Sequence, residues 1–400
     1  MESTCRKGTR CRVCTGCGAC FGEQKELHIL GGEDGKSGWG PLPAPGAWTI
    51  LTDIGTTTIA MELLSPDGRK SASFAEVNPQ HAYGRDVISR IQSAEDSQVR
   101  AELQRLVTDC LERGIRTLLG ARRPAGLRQF IACNTTERYL LLGEDPGELG
   151  RAPFCASHLE RAKTVIGDVE TTILPGFSAF VGGDLCAGYL ACMSGDSLTL
   201  LVDLGTNGEI LLGNQKRLMG CATAAGPAFE GGPNRGVWGA DMVHLTAELL
   251  RQGFLDETGL LAEPYFAEGI RIGNVPVTQE SVRAIQLAKA AIAAGIGILT
   301  KAYGCSYAQI RRVILAGGFG YYLQPEDAVA IGLLPKALAE KTVPGGNTAL
   351  RGAGVYAALA RRGEAAVRAA FPQELQILNL AQQSDFQESY LQHMELVPFG

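Results

Sequence analysis

The feature that most constrains the fold of this chain is a strand–turn–strand pattern that occurs twice. Residues 47–64 read AWTILTDIGTTTIAMELL, and residues 197–214 read SLTLLVDLGTNGEILLGN. In each segment an apolar strand ends in Asp-x-Gly-Thr, and a second apolar strand follows. At a constant offset of 150 positions, the repeat aligns Leu51, Asp53, Gly55 and Thr56 with Leu201, Asp203, Gly205 and Thr206. This internal repeat predicts two related lobes.

The residues in the two turns are of the types expected at a phosphate site. Glycine lets backbone N–H groups approach a phosphate closely, and threonine hydroxyls add further donors. An aspartate at the end of a strand can hold Mg²⁺, often through water, or orient an attacking water. We therefore predict that Asp53 and Asp203 act on Mg²⁺ and phosphate, and that Glu209 either orients water or is a solvated strand carboxylate. The predicted phosphate donors are Gly55, Thr56, Thr57, Thr58, Gly205, Thr206 and Asn207.

A third glycine-rich turn lies within residues 311–323, RRVILAGGFGYYL. Its glycine cluster would let the backbone approach a flat base and ribose, although the motif alone also fits an ordinary strand-to-helix turn. Upstream, the segment GPAFEGG includes Glu230, which either reaches the ribose or metal or is a turn residue. Between these motifs, apolar residues at helical spacing over 282–303 predict a helix across the lobe junction. The predicted cofactor-binding residues here are Gly226, Glu230, Gly317, Gly318 and Gly320.

A cysteine cluster occupies the N-terminus, CRKGTRCRVCTGCGACFG. Four of its cysteines follow a C-x2-C-x2-C-x2-C pattern, and such spacing lets thiolates converge on one iron–sulfur cluster. The bacterial ferredoxin run would end in a further cysteine and proline, which are missing here, so Cys11 or Cys5 must supply the fourth ligand. We predict a [4Fe–4S] cluster, while a [2Fe–2S] centre, a structural zinc site and a disulfide knot remain open. The candidate ligands are Cys5, Cys11, Cys14, Cys17 and Cys20.

Composition and charge exclude some functions. The net charge of −5 argues against non-specific nucleic-acid binding. We found no apolar run of the roughly 20 residues that a membrane helix needs, and no signal-peptide pattern, so we expect a cytoplasmic protein without a membrane partner. In a reducing compartment the other cysteines are expected to be small buried hydrophobic residues. These are Cys110, Cys133, Cys155, Cys186, Cys192, Cys221 and Cys305.

Five segments follow from these patterns. The iron–sulfur segment spans 1–30, and a Gly- and Pro-rich flexible linker spans 31–46. The first nucleotide-binding lobe is expected over 47–195 and the second over 196–345. A C-terminal helix, near 350–362, and a small subdomain complete the chain over 346–400.

The two hairpins and the third glycine motif, in this order, resemble the actin/hexokinase/Hsp70 superfamily. That resemblance implies an α/β fold with two ribonuclease-H-like lobes around an ATP cleft. Longer segments narrow the match to reductive activators of corrinoid proteins, the ATP-dependent activases of methyltransferase systems, over about residues 47–400. These segments include VNPQHAYGRDVISRI, CNTTERYLLLGEDPGELGRAPF, LPGFSAFVGGD, TAAGPAFEGG and LNLAQQSDFQESYLQHMELVPF.

The resemblance implies a specific activity. Such a protein reduces an inactive Co(II) corrinoid to Co(I), passing electrons from its iron–sulfur cluster and coupling the transfer to ATP hydrolysis. Its partners would be the corrinoid protein of a methyltransferase system and a low-potential electron donor, and the family is typically homodimeric.

Two departures from the family pattern stand out. A compact cysteine run replaces the longer [2Fe–2S] ferredoxin domain that family members usually carry. After GPAFEGGPNRG the chain is shortened, and residues 236–241 read GVWGAD where a G-x-C-G-S-G stretch is expected. Two other functions therefore stay open: a small-molecule kinase with a structural metal, and a non-enzymatic nucleotide or redox sensor that docks on methyltransferase partners.

Overall fold

A computed structural model describes residues 41–193, 195–205, 207–226, 228, 239–272, 275–317 and 323–400. The whole cysteine cluster and most of the linker lie outside the described residues. The same holds for four of the predicted nucleotide-site residues, namely Thr206, Glu230, Gly318 and Gly320.

The first hairpin begins a six-stranded mixed sheet with the order β3-β2-β1-β4-β6-β5. Strands β1, β4 and β6 run parallel, and the other pairs are antiparallel. Both faces of β1 and β2 are buried, with only Asp53 partly accessible, as expected for strands at the centre of a layered α/β domain. The strands are β1 (Thr49–Ile54), β2 (Thr58–Leu64), β3 (Lys70–Val77), β4 (Arg128–Cys133), β5 (Ala162–Ile166) and β6 (Val169–Ile173).

The second hairpin begins a second six-stranded sheet with the same core topology. Its order is β13-β12-β7-β8-β9-β14, in which β7, β8 and β9 form the antiparallel meander and β12 pairs parallel to β7. The predicted pair of related lobes and the actin/hexokinase-type fold class are thereby confirmed. The strands are β7 (Thr199–Leu204), β8 (Gly208–Gly213), β9 (Arg217–Thr223), β12 (Arg312–Ala316), β13 (Thr342–Gly346) and β14 (Glu374–Leu378), while β10 (Ile270–Ile272) and β11 (Val275–Val277) form a separate hairpin.

Helices cover the sheets and fill the junction between them. On the first sheet these are α1 (Val87–Ser93), α2 (Ser97–Leu119), α3 (Thr135–Leu142) and α4 (Gly183–Cys192). The remaining helices are α5 (Gly239–Arg251), α6 (Tyr265–Glu268), α7 (Gln279–Tyr303), α8 (Pro325–Ala330), α9 (Thr348–Arg361), α10 (Glu364–Ala370) and α11 (Phe386–Gln392). Helix α9 is the one predicted near 350–362.

Helix α7 exists as predicted, but its predicted position at the lobe junction is wrong. Its apolar face packs on β8 and β9, inside the core of the second lobe, because Gly295 lets the helix approach Ile210 and Thr223 closely. By length and composition α7 could also cross a membrane, which the sequence reading missed. However, 78% of its most apolar stretch is buried inside the protein, so the structure accounts for this apolar helix as a core helix.

The helices that cross the junction are instead α4 and α9, which share one apolar core with β1, β7 and β12. Glycine makes this crossing close. A Cβ atom on Gly352 would lie 1.8 Å from the carbonyl oxygen of Ala187, and one on Gly188 would lie 3.2 Å from Thr348 Oγ1. Two helix backbones in contact leave no room for a side chain between them.

The cysteine prediction was right for five of the seven residues. The thiols of Cys110, Cys133, Cys186, Cys192 and Cys221 are buried, and all seven described cysteines are free. It was wrong for Cys155, which is exposed in the loop before β5, and Cys305 is only half-buried.

A lysine is buried on α7 beneath the C-terminal tail. Lys289 is 1% exposed, and its ammonium group donates to the carbonyl oxygen of Glu395. Burial lowers the pKa of Lys289 to about 7, and the Glu395 charge opposes that shift only in part. The neighbouring Gln286 donates to the carbonyl oxygen of Met394, so α7 holds the tail through two polar side chains.

Replacing Lys289 by methionine is expected to change how stability depends on pH. The folded-state pKa lies below the unfolded value, so from about pH 7 to about pH 10 the unfolded chain binds the extra proton and stability rises with pH. Methionine removes this rise, and we expect it to stabilise the protein by about 1 kcal/mol at pH 7 or below. Urea unfolding of both proteins at pH 6, 7.5 and 9 measures the difference. An unchanged pH slope would contradict the assignment.

Candidate active site

Four carboxylates gather where the two hairpins meet the junction. Asp53 and Asp203 stand at the ends of β1 and β7, and Glu209 is the cross-strand partner of Asp203 on β8. The fourth, Asp184, lies in the first turn of α4. The structure thus brings together the three predicted catalytic residues and adds one that the sequence reading did not select.

The electrostatics of these carboxylates show that they form one cluster. Burial raises the pKa of Asp53 to about 7, of Asp203 to about 7 and of Asp184 to about 6. The Asp184 charge further raises the pKa values of Asp53 and Asp203, and burial raises the pKa of Glu209 well above its usual range. Several desolvated like charges held together are typical of a site that receives a cation.

Asp53 is held by the other end of the chain. Asn347 Nδ2 donates to Asp53 Oδ2 at 2.7 Å, although the two residues are 294 positions apart. Asn347 is the N-cap of α9, and its Oδ1 accepts a bond from the Leu350 amide at 2.7 Å. One amide side chain therefore both starts α9 and orients a carboxylate of the cluster.

In each turn the glycine amide donates to a backbone carbonyl group of the same turn, three positions later in the first turn and two positions later in the second. In the first, the Gly55 amide donates to Thr58 O at 2.9 Å, and in the second the Gly205 amide donates to Asn207 O at 3.2 Å. Thr56 Oγ1 accepts a bond from Asn134 Nδ2 at 3.3 Å. Thr57 is exposed, whereas Thr58 is 7% exposed at the start of β2. Gly55, Thr56 and Thr57 of the first turn are therefore more accessible to solvent than Thr58.

Gly317 lies beside Asp203 rather than apart from it. Its φ is +87°, and a Cβ atom there would lie 2.4 Å from Leu204 O and 2.7 Å from Asp203 Oδ1. Only glycine fits this position, because it combines a left-handed backbone with contact to the second hairpin. Gly226, at φ +72°, follows β9 and faces open space. Gly317, the described glycine of the motif after β12, thus borders the carboxylate cluster.

The donor set fits Mg²⁺ bound partly by water and phosphate. Among the described residues, no three Asp, Glu, His or Cys side chains are arranged to hold a metal ion by themselves. Mg²⁺ commonly keeps several waters and takes only one or two carboxylates together with phosphate oxygens. Asp53 and Asp203 suit that role, since no described lysine or arginine forms an ion pair with either.

Two residues of the site, Asp184 and Asn347, escaped the sequence reading. Both carry a local signal: each stands at the start of a helix, Asp184 after a Gly-Gly pair and Asn347 after β13. That signal predicts where a helix begins in the sequence, but not which part of the fold the helix start contacts. Only the crossing of α4 and α9 brings the two helix starts to the hairpins.

Two protein-family models together match nearly all of the described core. The RACo middle region matches residues 48–195. The C-terminal domain of RACo, described as its ASKHA domain, matches 197–236 and 232–398.

Individual relatives agree with these models. The corrinoid activation enzyme RamQ of Eubacterium limosum is 30% identical over 86% of this chain and 69% of its own length. A solved structure described as a reductive activator for corrinoid, iron–sulfur protein aligns with a TM-score of 0.77 at 27% identity. That alignment covers 88% of this chain and 66% of the solved chain, so this chain spans about two thirds of the relatives it matches. It belongs to the RACo family, the reductive activators of corrinoid proteins.

Proposed function

We propose that this protein reduces the inactive Co(II) form of a corrinoid protein to Co(I) and couples that electron transfer to ATP hydrolysis. The observation that carries the proposal is the carboxylate cluster of Asp53, Asp203, Asp184 and Glu209 at the ends of two glycine–threonine turns, within a RACo-family core. A corrinoid protein would be the partner, which the name of the relative RamQ, a corrinoid activation enzyme, supports. We assign that partner to a methyltransferase system, as the sequence resemblance implies. A low-potential protein or small molecule would supply the electrons, and a homodimer would be the working unit.

The turns would bind the ATP phosphates. The Gly55 and Gly205 amides already donate within their own turns, so the amides of Thr56, Thr57 and Thr58 and the Thr56 hydroxyl would be the donors of the first turn. Mg²⁺, when bound, would neutralise the phosphate charge and satisfy the carboxylates that burial penalises. Asn347 keeps the Asp53 carboxylate turned toward this position.

Water attack on the γ-phosphate needs a group that accepts a proton near neutral pH. Burial raises the pKa of Asp184 to about 6, near the operating pH, and Asp184 is not one of the two carboxylates that we assign to Mg²⁺, so it is suited to this role. It also lies at the N-terminus of α4, whose partial positive charge stabilises the ionised carboxylate before proton transfer. We assign Asp184 as the general base and Glu209 to orienting the water.

ATP would act on electron transfer through the relative arrangement of the lobes. Asp53 belongs to the first sheet and Asp203 to the second, so a nucleotide that contacts both is bound more tightly in one lobe arrangement than in another. An iron–sulfur cluster held by four of the five N-terminal cysteines would supply single electrons. The cobalt site receives one electron per reduction, while ATP and water give ADP, phosphate and a proton.

The decisive experiment follows cobalt by visible spectroscopy without oxygen. The reconstituted protein is mixed with a Co(II) corrinoid protein and a low-potential donor, with and without Mg–ATP. We expect Co(I) to form only when ATP is present. Co(I) formation that is equal without ATP, with the cluster intact, would contradict the coupling. ATP binding without turnover or reduction would instead favour the nucleotide sensor.

The cysteine cluster is expected to be needed for reduction but not for ATP hydrolysis. Replacing Cys14 and Cys17 by serine removes two thiolate ligands from the predicted run and should lower Co(I) formation at least about tenfold. ATPase activity should stay within about twofold of the parent, since the hairpins are untouched. Iron and acid-labile sulfide content, measured in parallel, separates cluster loss from misfolding. Unchanged reduction by the cluster-free variant would contradict the electron-transfer role.

A further inference from the structure

The first phosphate turn, residues 55–58, accepts hydrogen bonds at three consecutive backbone carbonyl groups. Gly55 O accepts a bond from Asn78 Nδ2 at 2.9 Å, and Thr57 O accepts one from the Asn78 amide at 2.8 Å. Between them, Thr56 O accepts a bond from Arg90 Nη2. In a trans peptide the N–H points opposite to the C=O, so the amides of the same three peptide units are directed away from these contacts. The backing residues therefore fix the direction of the turn's N–H donors.

The residues behind the turn form a buried ionic network. Arg90 Nη1 donates to Glu137 Oε1 at 2.6 Å, and both side chains are fully buried. Arg90 Nε also donates to Gly84 O at 3.0 Å, and Asn78 Nδ2 lies 3.4 Å from Glu137 Oε2. The guanidinium thus binds three different segments at once, which requires the planar, multi-donor shape of arginine.

A buried ionic network of this kind contributes little net free energy to the stability of a fold. Burying two charges costs several kcal/mol, and apolar residues of similar volume often stabilise a protein as well or better. Glu137 lies on α3 one turn after Asn134, and Asn134 itself donates to Thr56 Oγ1. Helix α3 therefore contacts the first turn directly through Asn134 and indirectly through the Glu137–Arg90 pair.

The second turn is held differently. In its described part, Thr223 Oγ1 donates to Gly208 O at 3.0 Å, a bond between neighbouring strands of the same sheet. At Gly205, Asn207 and Gly208, no described charged side chain binds a carbonyl group. Of this network, Asn78 and Arg90 come from the segment between β3 and β4, which carries the NPQHAYGRD run that the proposed function leaves without a role, and Glu137 comes from α3, after β4.

We propose that Arg90, Glu137 and Asn78 are positioning residues that hold the first phosphate turn in its nucleotide-binding form. The inference rests on the proposed function, because it assumes that Mg–ATP binds at this turn. None of the three residues needs to touch the nucleotide. They act on it through the direction of the Thr56, Thr57 and Thr58 amides.

The test separates positioning from stability by replacing the whole ion pair. The double variant Arg90→Met with Glu137→Met leaves no buried unpaired charge, so we expect its melting temperature to stay close to that of the parent. Its dissociation constant for Mg–ATP, measured by calorimetry, should rise at least about tenfold, because Thr56 O loses its donor. A matched control, Arg138→Met with Glu144→Met, removes the ion pair between α3 and the segment that follows it, which has an N–O distance of 2.8 Å and does not contact the turn. It should bind Mg–ATP like the parent.

A second variant keeps the inference testable if the double variant does not fold. Arg90→Lys keeps the charge pair with Glu137 but cannot reach Glu137, Thr56 O and Gly84 O together, so we expect Mg–ATP binding several-fold weaker than that of the parent. Parent-like binding by either a folded double variant or Arg90→Lys would overturn the inference. A wild-type chain that does not bind Mg–ATP would contradict the nucleotide site itself, and that outcome is visible before any variant is measured.

Discussion

Replacing Asp203 by asparagine is expected to stabilise the nucleotide-free protein at pH 8 and to abolish its ATP turnover. Burial, together with the charges of Asp184 and Asp53, raises the pKa of Asp203 to about 7. In the unfolded chain this carboxyl has a pKa of about 3.9. At pH 8 the ionised, desolvated carboxylate of Asp203 therefore lowers the free energy of unfolding, and the variant does not contain this carboxylate.

The sign of the pH dependence follows from this difference. Between about pH 4 and pH 7 the folded state binds a proton that the unfolded state has released, so stability falls as the pH rises through this window. Above pH 7 the full cost is present, which we put at about 1–3 kcal/mol after allowing for partial solvent access. For a chain of this size, that corresponds to a rise in melting temperature of a few degrees in the variant.

Melting curves at pH 5, 6, 7 and 8 in the presence of a chelator measure the stability change. We expect the difference between the wild-type and variant curves to be smallest at pH 5 and largest at pH 8. ATP turnover of the variant should fall by at least about 100-fold, because the cluster loses the charge that would help to hold Mg²⁺. Asp109→Asn on α2, where the side chain is 47% exposed, is the control and should change neither quantity. A variant that is less stable than the wild type at pH 8 would contradict this account.

The parts of the site that could be predicted from the sequence are those encoded by neighbouring residues. Asp53 and Asp203 were found because an apolar strand, an aspartate and a glycine turn follow one another within a few positions and recur at a constant offset. The local pattern also fixes the strand pairing, because each hairpin closes on itself. Glu209 followed from the same hairpin.

The parts that could not be predicted depend on where distant helices end. Asn347 reaches Asp53 across 294 positions, and its sequence signal, an asparagine before a helix, says nothing about that partner. The same limit explains the misplaced helix α7: its apolar pattern predicts burial but not which sheet it covers. Gly188 and Gly352 allow the close crossing at the junction, but a single sequence does not show which helices meet.

The crossing of α4 and α9 links these observations, because each helix starts with a residue of the site. Asp184 lies in the first turn of α4, and Asn347 caps α9 and holds Asp53. The contact between Gly352 and Ala187 O therefore sets how far apart the two helix starts lie. A change at that contact is expected to alter both the stability of the junction and the geometry of the carboxylate cluster.

Gly352→Ala is accordingly expected to lower the free energy of unfolding by about 2–4 kcal/mol, since its methyl group would lie 1.8 Å from a backbone oxygen that cannot move alone. ATP turnover should fall with it, even at temperatures where the variant is fully folded, because Asp184 and Asn347 move apart.

Gly297→Ala is the matched control on α7, where a Cβ atom would lie 3.6 Å from Tyr307 Oη. There the gain in helix propensity should leave stability unchanged or raise it by up to about 1 kcal/mol. Urea unfolding and ATPase assays of both variants measure these effects. If both substitutions changed stability equally, the close crossing of α4 and α9 would not be what determines the junction.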